Sequence, residues 1–285
     1  MNFLLLLVVV GVAAYVGALV TLWWAQERVV FQPPRGLQRE PVHARRVSYR
    51  TADDVELFAY VIGECTASNT VLLAFHGNAD LARWFVPWAA EVARQTGACV
   101  LLPEYRGYDD ASGTPTYAAS SLDARAALAY AHEALGADAS RTVYFGHSLG
   151  TGDAAELARF EPPRTLILQS PFTSARAMAA RMVLPGLTLF WSAISRVHFD
   201  TVNLVRALRC PVWVAHGTRD LIIPVRMGRT VFEAAAVKGK LLIVDGAGHN
   251  DVADVGGEAY WRWLDGAILN AVDAPLTDGV RAETR

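Results

Sequence analysis

Short apolar runs of β-forming residues recur along this chain, each followed by a longer stretch with helical apolar spacing, and that alternation leaves few architectures open. The strand-like runs are Val71–Phe75, Ala98–Leu102, Thr142–Phe145, Thr165–Gln169, Val212–Ala215 and Leu241–Val244. Between and after them lie helical patterns at Leu81–Gln95, Tyr117–Leu135, Leu149–Phe160, Val225–Ala236 and Gly257–Ala271. Val47–Arg50 and Val55–Ile62, separated by Ala52-Asp53-Asp54, read as an antiparallel pair ahead of the series. Continuous apolar strands separated by helices predict an α/β fold, a mostly parallel central sheet with helices on both faces. In such a sheet the chemistry belongs at the carboxyl ends of the strands.

The amino-terminal segment differs in kind. From Phe3 to Ala25 there is no charged side chain, and as a helix this stretch is about 34 Å long against a hydrocarbon core of about 30 Å. The apolar run is long for a cleaved signal, and no small-x-small site precedes Gln26-Glu27-Arg28, so a retained single-pass transmembrane helix is expected. Trp23 and Trp24 suit the headgroup boundary, and Arg28, Arg35, Arg39, Arg45 and Arg46 follow, which puts the domain after the span on the cytoplasmic face by the positive-inside tendency. Residues 1–27 then form the anchor, 28–46 a connector broken by Pro33-Pro34, 47–271 the domain and 272–285 a loose tail. Residues 173–210 exceed a simple crossover and carry the apolar run Met182–Ile194, which reads as a small lid or as a helix of the core.

Charge is nearly balanced, 26 basic against 28 acidic residues, without a basic cluster, which speaks against a nucleic-acid partner. Cys65, Cys99 and Cys210 are odd in number and widely spaced, and are expected to be buried free thiols. No pair has metal-ligand spacing, so no metal site is assigned. Oligomeric state is not readable from these features.

Gly146-His147-Ser148-Leu149-Gly150 joins an apolar strand run to a helical one. A serine in such a turn, flanked by glycines that permit close backbone approach, holds its hydroxyl above the sheet edge. It needs a base oriented by a carboxylate. Asp220 follows strand Val212–Ala215 and His249 follows strand Leu241–Val244, both at the edge that carries Ser148. Asp245, Asp251, Asp254 and Asp200 compete for the acid's place, but only Asp220 combines a post-strand loop with the helix start Leu221-Ile222-Ile223-Pro224. His147 is expected to point away along the turn, and His76 and His216 to make structural hydrogen bonds in His-Gly turns. The Leu149 N–H is one candidate oxyanion donor; the other comes from Phe75-His76-Gly77-Asn78-Ala79, through Asn78 or Ala79.

The set His76-Gly77-Asn78-Ala79, Tyr105-Arg106-Gly107-Tyr108, Gly146–Gly150, Ser170-Pro171-Phe172, His216–Asp220 with Pro224, and Gly246-Ala247-Gly248-His249-Asn250 resembles the Bem46-type branch of the α/β-hydrolase superfamily. The resemblance covers about Arg46 to Ala271 and extends to the amino-terminal membrane segment. It implies an α/β-hydrolase fold in which Ser148, Asp220 and His249 correspond to the triad and the region of Asn78 to the oxyanion loop. Glu104 and Asp109 depart from the branch's usual Asp and Gly, and an added carboxylate at the pocket mouth is expected to disfavour anionic substrates. The function implied is a membrane-anchored serine hydrolase that needs no cofactor and takes an acyl ester or thioester as substrate. A depalmitoylating thioesterase, an amidase or peptidase, and a non-catalytic scaffold of the same fold are the alternatives.

Overall fold

The computed structural model describes residues 3–34, 44–66, 68–182, 195–269 and 282–283. Helix α1 (Phe3–Val30) is one uninterrupted helix of 28 residues with a mean hydropathy of 2.8 over its most apolar window, long and apolar enough to cross a membrane. It continues past Ala25 because nothing stops a helix before Pro33-Pro34.

Nine strands form a single sheet among the described residues: β1 (Arg45–Arg50), β2 (Glu56–Ile62), β3 (Val71–Phe75), β4 (Cys99–Pro103), β5 (Thr142–His147), β6 (Thr165–Gln169), β7 (Val212–Gly217), β8 (Lys238–Val244) and β9 (Ala282–Glu283). Their spatial order is β1-β2-β4-β3-β5-β6-β7-β8-β9. From β4 through β8 every neighbouring pair is parallel, while β1, β2 and β9 join antiparallel. The helices are α2 (Ala82–Thr96), α3 (Tyr117–Leu135), α4 (Gly150–Phe160), α5 (Ala175–Met182), α6 (Thr201–Ala207), α7 (Val225–Ala234) and α8 (Val252–Leu269).

The two faces of the sheet are separated by the strand period of two. Leu73, Tyr144, Leu168 and Val214 pack with Leu128 of α3, Leu157 of α4 and Val231 of α7, whereas Leu72, Val143, Ile167 and Leu242 pack with Val92 of α2 and Trp263 of α8. Both faces are dry, which is why these strands read as unbroken apolar runs. The chain leaves β3 in one direction to β4 and reaches β5 on the other side, so a crevice opens at the carboxyl ends of β3 and β5, where ligands bind in open parallel sheets.

The insertion after β6 contributes α5 and α6, and most of the apolar run assigned to a lid, residues 183–194, lies outside the described residues. Of the tail from 272 onward only Ala282–Glu283 is described, paired with Leu241–Leu242. The cysteine expectation is corrected. Cys65 and Cys99 form a disulfide, with Cα atoms 4.9 Å apart, and Cys210 alone is free and buried. The reason is register: Ile62 at the end of β2 pairs with Val100 of β4, which brings the loop carrying Cys65 beside the first residue of β4.

Candidate active site

Ser148 caps β5 in a left-handed backbone conformation, φ 53°, held by its N–H donating to the Gln169 carbonyl (3.0 Å) and its carbonyl accepting from Thr151 N (3.0 Å). A non-glycine residue persists in this region only where its surroundings over-determine it. The flanking glycines supply that: a Cβ at Gly146 would lie 2.3 Å from the Gly150 carbonyl oxygen, and one at Gly150 would lie 2.4 Å from that of Phe75.

His249 lies in the loop between β8 and α8. Its Nε2 is 2.8 Å from Ser148 Oγ and its Nδ1 is 2.7 Å from Asp220 Oδ2. Asp220, in the loop after β7, is buried and accepts further bonds from the N–H groups of Ile222 (2.9 Å) and Ile223 (2.8 Å) at Oδ1 and from His216 Nε2 (3.2 Å) at Oδ2. Burial by itself raises this carboxyl's pKa, but the bonds from His216 and His249 and from the Ile223 amide outweigh it and hold Asp220 well below the usual carboxylate range. A carboxylate fixed on Nδ1 leaves Nε2 to accept the serine proton.

Three of the four competing acids are engaged elsewhere, and Asp254 lies on the wall of a cavity. Asp245 accepts from Thr218 Oγ1, Asp251 from Gly248 N, and Asp200 caps α6. His147 differs from expectation: it does not point away but packs on His249, with ring centroids 5.1 Å apart and Nε2 3.2 Å from the His249 carbonyl oxygen. Burial, with the nearby His249, pushes its pKa down to about 3, so it is neutral and its Nε2–H donates to that carbonyl. The expected structural roles of His76 and His216 have definite partners. His216 Nε2 also reaches the Ile223 carbonyl (2.8 Å) and thus braces the Asp220 loop.

The candidate oxyanion loop is anchored by a residue whose role sequence reasoning missed. Glu104, fully buried after β4, accepts from His76 Nε2 (2.8 Å) and Tyr105 N (3.0 Å) at Oε1 and from Ala82 N (3.0 Å) at Oε2. His76 Nδ1 contacts the Gly77 carbonyl at 2.9 Å. Burial lowers the pKa of His76, yet the Glu104 charge and hydrogen bond more than offset this and raise it. One carboxylate therefore grips the last residue before the loop and the first N–H of α2, a donor with no partner inside its own helix. The loop between them holds Asn78, whose Oδ1 accepts from Tyr108 OH (2.8 Å) and Gln32 N (2.9 Å), and Ala79 at φ 52°. The expectation of an added carboxylate at the pocket mouth is corrected as well: Glu104 is internal, and Asp109 is bound to Arg83 Nε at 2.6 Å with little exposure. In the sequence Glu104 stands out as a departure from the branch's usual residue and His76 as part of a His-Gly turn, with nothing local to join the two.

Ser148 stands between two cavities. One, of about 840 Å³, lies between α2 and α8 and is lined by Trp84, Trp88, Trp261 and His249, with Asp80 and Asp254 also on its wall. The other, of about 230 Å³, is almost wholly apolar and contains Leu149, Phe172, Met178 and Phe199.

The family profile for the alpha/beta hydrolase fold matches residues 70–193. An uncharacterized protein of Mycobacterium tuberculosis is 31% identical to the chain, over 95% of its length and 94% of the relative's. The chain belongs to the α/β-hydrolase superfamily. The Bem46-like branch is consistent with the other relatives. The lysophosphatidylserine lipase ABHD12 of Danio rerio is 33% identical over 60% of this hydrolase and 48% of the lipase, so the chain spans about half the lipase's length. The alpha/beta hydrolase domain-containing protein aho-3 of Caenorhabditis elegans is 30% identical over 76% of this chain and 64% of its own. Among solved structures, the Pyrococcus furiosus esterase Pf2001 superposes with a TM-score of 0.67 at 19% identity, covering 84% of this hydrolase and 98% of the esterase.

Proposed function

We propose that this α/β hydrolase is a membrane-anchored serine hydrolase that cleaves carboxylic ester or thioester bonds through an acyl-enzyme. The observation that carries the reading is His249 bridging Ser148 Oγ and the buried Asp220 at 2.8 and 2.7 Å. In the first step Ser148 Oγ bonds to the substrate carbonyl carbon while His249 Nε2 takes the hydroxyl proton. The Leu149 and Asn78 N–H groups receive the oxyanion, and His249 returns the proton to the departing alcohol or thiol as its bond to carbon breaks. Water, deprotonated by His249, then adds to the acyl carbon; Ser148 leaves with a proton and the acid is released. The lipase relative, by its name, supports an ester substrate. Ser148→Ala should keep the fold and abolish labelling by a fluorophosphonate. Unchanged labelling would reassign the nucleophile. Burst release of p-nitrophenol from p-nitrophenyl esters, set against turnover of an S-acyl peptide, separates ester from thioester preference, and absence of both would favour a scaffold.

Orientation belongs to the same reading. The arginines after α1 favour a cytoplasmic domain, whereas the Cys65–Cys99 bond favours an oxidising compartment. Charge bias is a tendency of insertion, while a disulfide persists only where thiols are not kept reduced. We therefore place the catalytic domain on the oxidising face.

A further inference from the structure

Helix α1 does not end as a free tether. Its last turns are built into the catalytic domain. Gln26 is buried, its Oε1 accepting from Arg196 N at 2.6 Å. Glu27 pairs with Arg196 at 2.6 Å and accepts from Tyr117 N at 3.3 Å. Phe31 joins the core, and the Gln32 N–H is shared between Asn78 Oδ1 (2.9 Å) and Tyr108 OH (3.0 Å). Tyr15, Leu19, Leu22, Gln26 and Val30 are less exposed than most of α1 and recur at steps of three and four, a stripe that widens at Ala25 and Glu27 where the helix meets the domain.

Docked in this way, the helix end becomes a wall of the smaller cavity. Leu22, Val29 and Val30 line it together with Phe172, Met178 and Phe199, and Ser148 is also on its wall. From Leu22 to Val30 this wall is about 12 Å long, roughly the reach of an extended chain of eight to ten carbons. Toward its amino end the same helix continues as the apolar span. Trp23 and Trp24, with Arg196 over the first ring (5.3 Å) and Arg28 over the second (4.1 Å), place the headgroup boundary at this level. Ile222 lines both cavities and is 56% exposed, and the adjacent Leu221 is 90% exposed, an apolar mouth suited to contact with lipid rather than water.

Resting on the ester and thioester reading above, we propose that α1 is part of the substrate site. The acyl chain of a bilayer amphiphile slides from the membrane along α1 into the cavity walled by Leu22, Val29 and Val30. Its carbonyl carbon arrives at Ser148 Oγ, and its headgroup, the leaving group, lies in the wider cleft between α2 and α8. Bilayer residence of the substrate and attachment of the enzyme are then one device, since the element that anchors the protein also guides the chain. The Gln32 bond to Asn78 couples the same helix end to the loop that is to receive the oxyanion.

The test uses the full chain in lipid nanodiscs and a decyl fluorophosphonate carrying a terminal diazirine. After Ser148 is labelled, photolysis should attach the chain end to α1 peptides containing residues 22–30. Attachment to peptides of α2 or α8 instead, with Ser148 labelled, would overturn the proposal and leave the nucleophile assignment standing; failure to label Ser148 would overturn both. As a second readout, Val29→Trp should lower the ratio of kcat/KM for p-nitrophenyl decanoate to that for the acetate by roughly tenfold, the worth of about two buried methylenes. Val16→Trp, on α1 but not on the wall of the cavity, should leave that ratio unchanged. An unchanged ratio in Val29→Trp, or an equal fall in both variants, would refute the role of the helix wall.

Discussion

Asp220 accepts from His249, His216, Ile222 and Ile223, so its charge is stabilised from every side and its substitution has a defined consequence. In Asp220→Asn the amide NH₂ group can donate to His249 Nδ1, which forces the proton onto Nε2, the atom that must accept from Ser148. Turnover of p-nitrophenyl butyrate should fall by about 10³–10⁴ while circular dichroism stays unchanged. A loss below tenfold would assign the acid's role to another residue. Asp153 in α4 makes the opposite case. Both its carboxyl oxygens are buried, and that burial outweighs the contacts from Ser120 and Tyr105 and pushes its pKa up to about 7. Because the folded value lies above the unfolded one of about 4, the native state holds an extra proton between pH 4 and 7. Stability contributed by that proton is lost as pH rises through this window. Asp153→Asn should therefore unfold at a higher temperature than the parent at pH 8, and the difference should vanish near pH 4. It should correspond to a few kcal/mol, and a difference independent of pH would show that the carboxyl is ionised throughout.

At the scale of elements, the candidate oxyanion loop is positioned by a contact between β4 and the start of α2 rather than by the loop's own residues. Glu104→Gln removes one acceptor from a set of three donors and leaves the buried His76 without its counter-charge, a change that typically costs about 3–5 kcal/mol. It should depress kcat more than it raises KM, because the loop is needed more in the transition state than for binding. Glu104→Asp, the shorter acid, should recover much of the stability. Equal effects of both variants on KM alone would make Glu104 a packing residue only. This contact also marks the boundary of what was legible. Strands β3 to β8 were readable because each is buried on both faces and so reads as an apolar run, and the gathering of Ser148, Asp220 and His249 was readable because each follows such a run at the same sheet edge. Glu104 was visible only as a departure from a pattern, since its partners His76 and Ala82 lie 28 and 22 residues away and are defined by strand order alone. Likewise, the outward turn expected of His147 failed because the β8–α8 loop supplies a carbonyl that no local pattern announces.

For the whole molecule, the apolar helix α1, the disulfide and the hydrolase domain make connected demands. The Cys65–Cys99 bond closes 34 residues containing β3 and α2, and hence the candidate oxyanion loop between them, against the antiparallel β2–β4 pair. Its widely spaced cysteines appeared unrelated in sequence because only that strand pairing makes them neighbours. Closing a loop of this length restricts the unfolded chain by about 3–4 kcal/mol in the entropic account, so Cys65→Ala should lower the midpoint of denaturant unfolding by a corresponding amount with little change in kcat. The bond also tests the side of the membrane on which the enzyme works. Protein extracted from cells under acid quench, unfolded, and alkylated without reductant should take up one maleimide, at Cys210, and two more only after reduction. Uptake of three without reduction would mean that the thiols are kept reduced, return the catalytic domain to the cytoplasmic face favoured by the arginines, and require an amphiphile drawn from the inner leaflet.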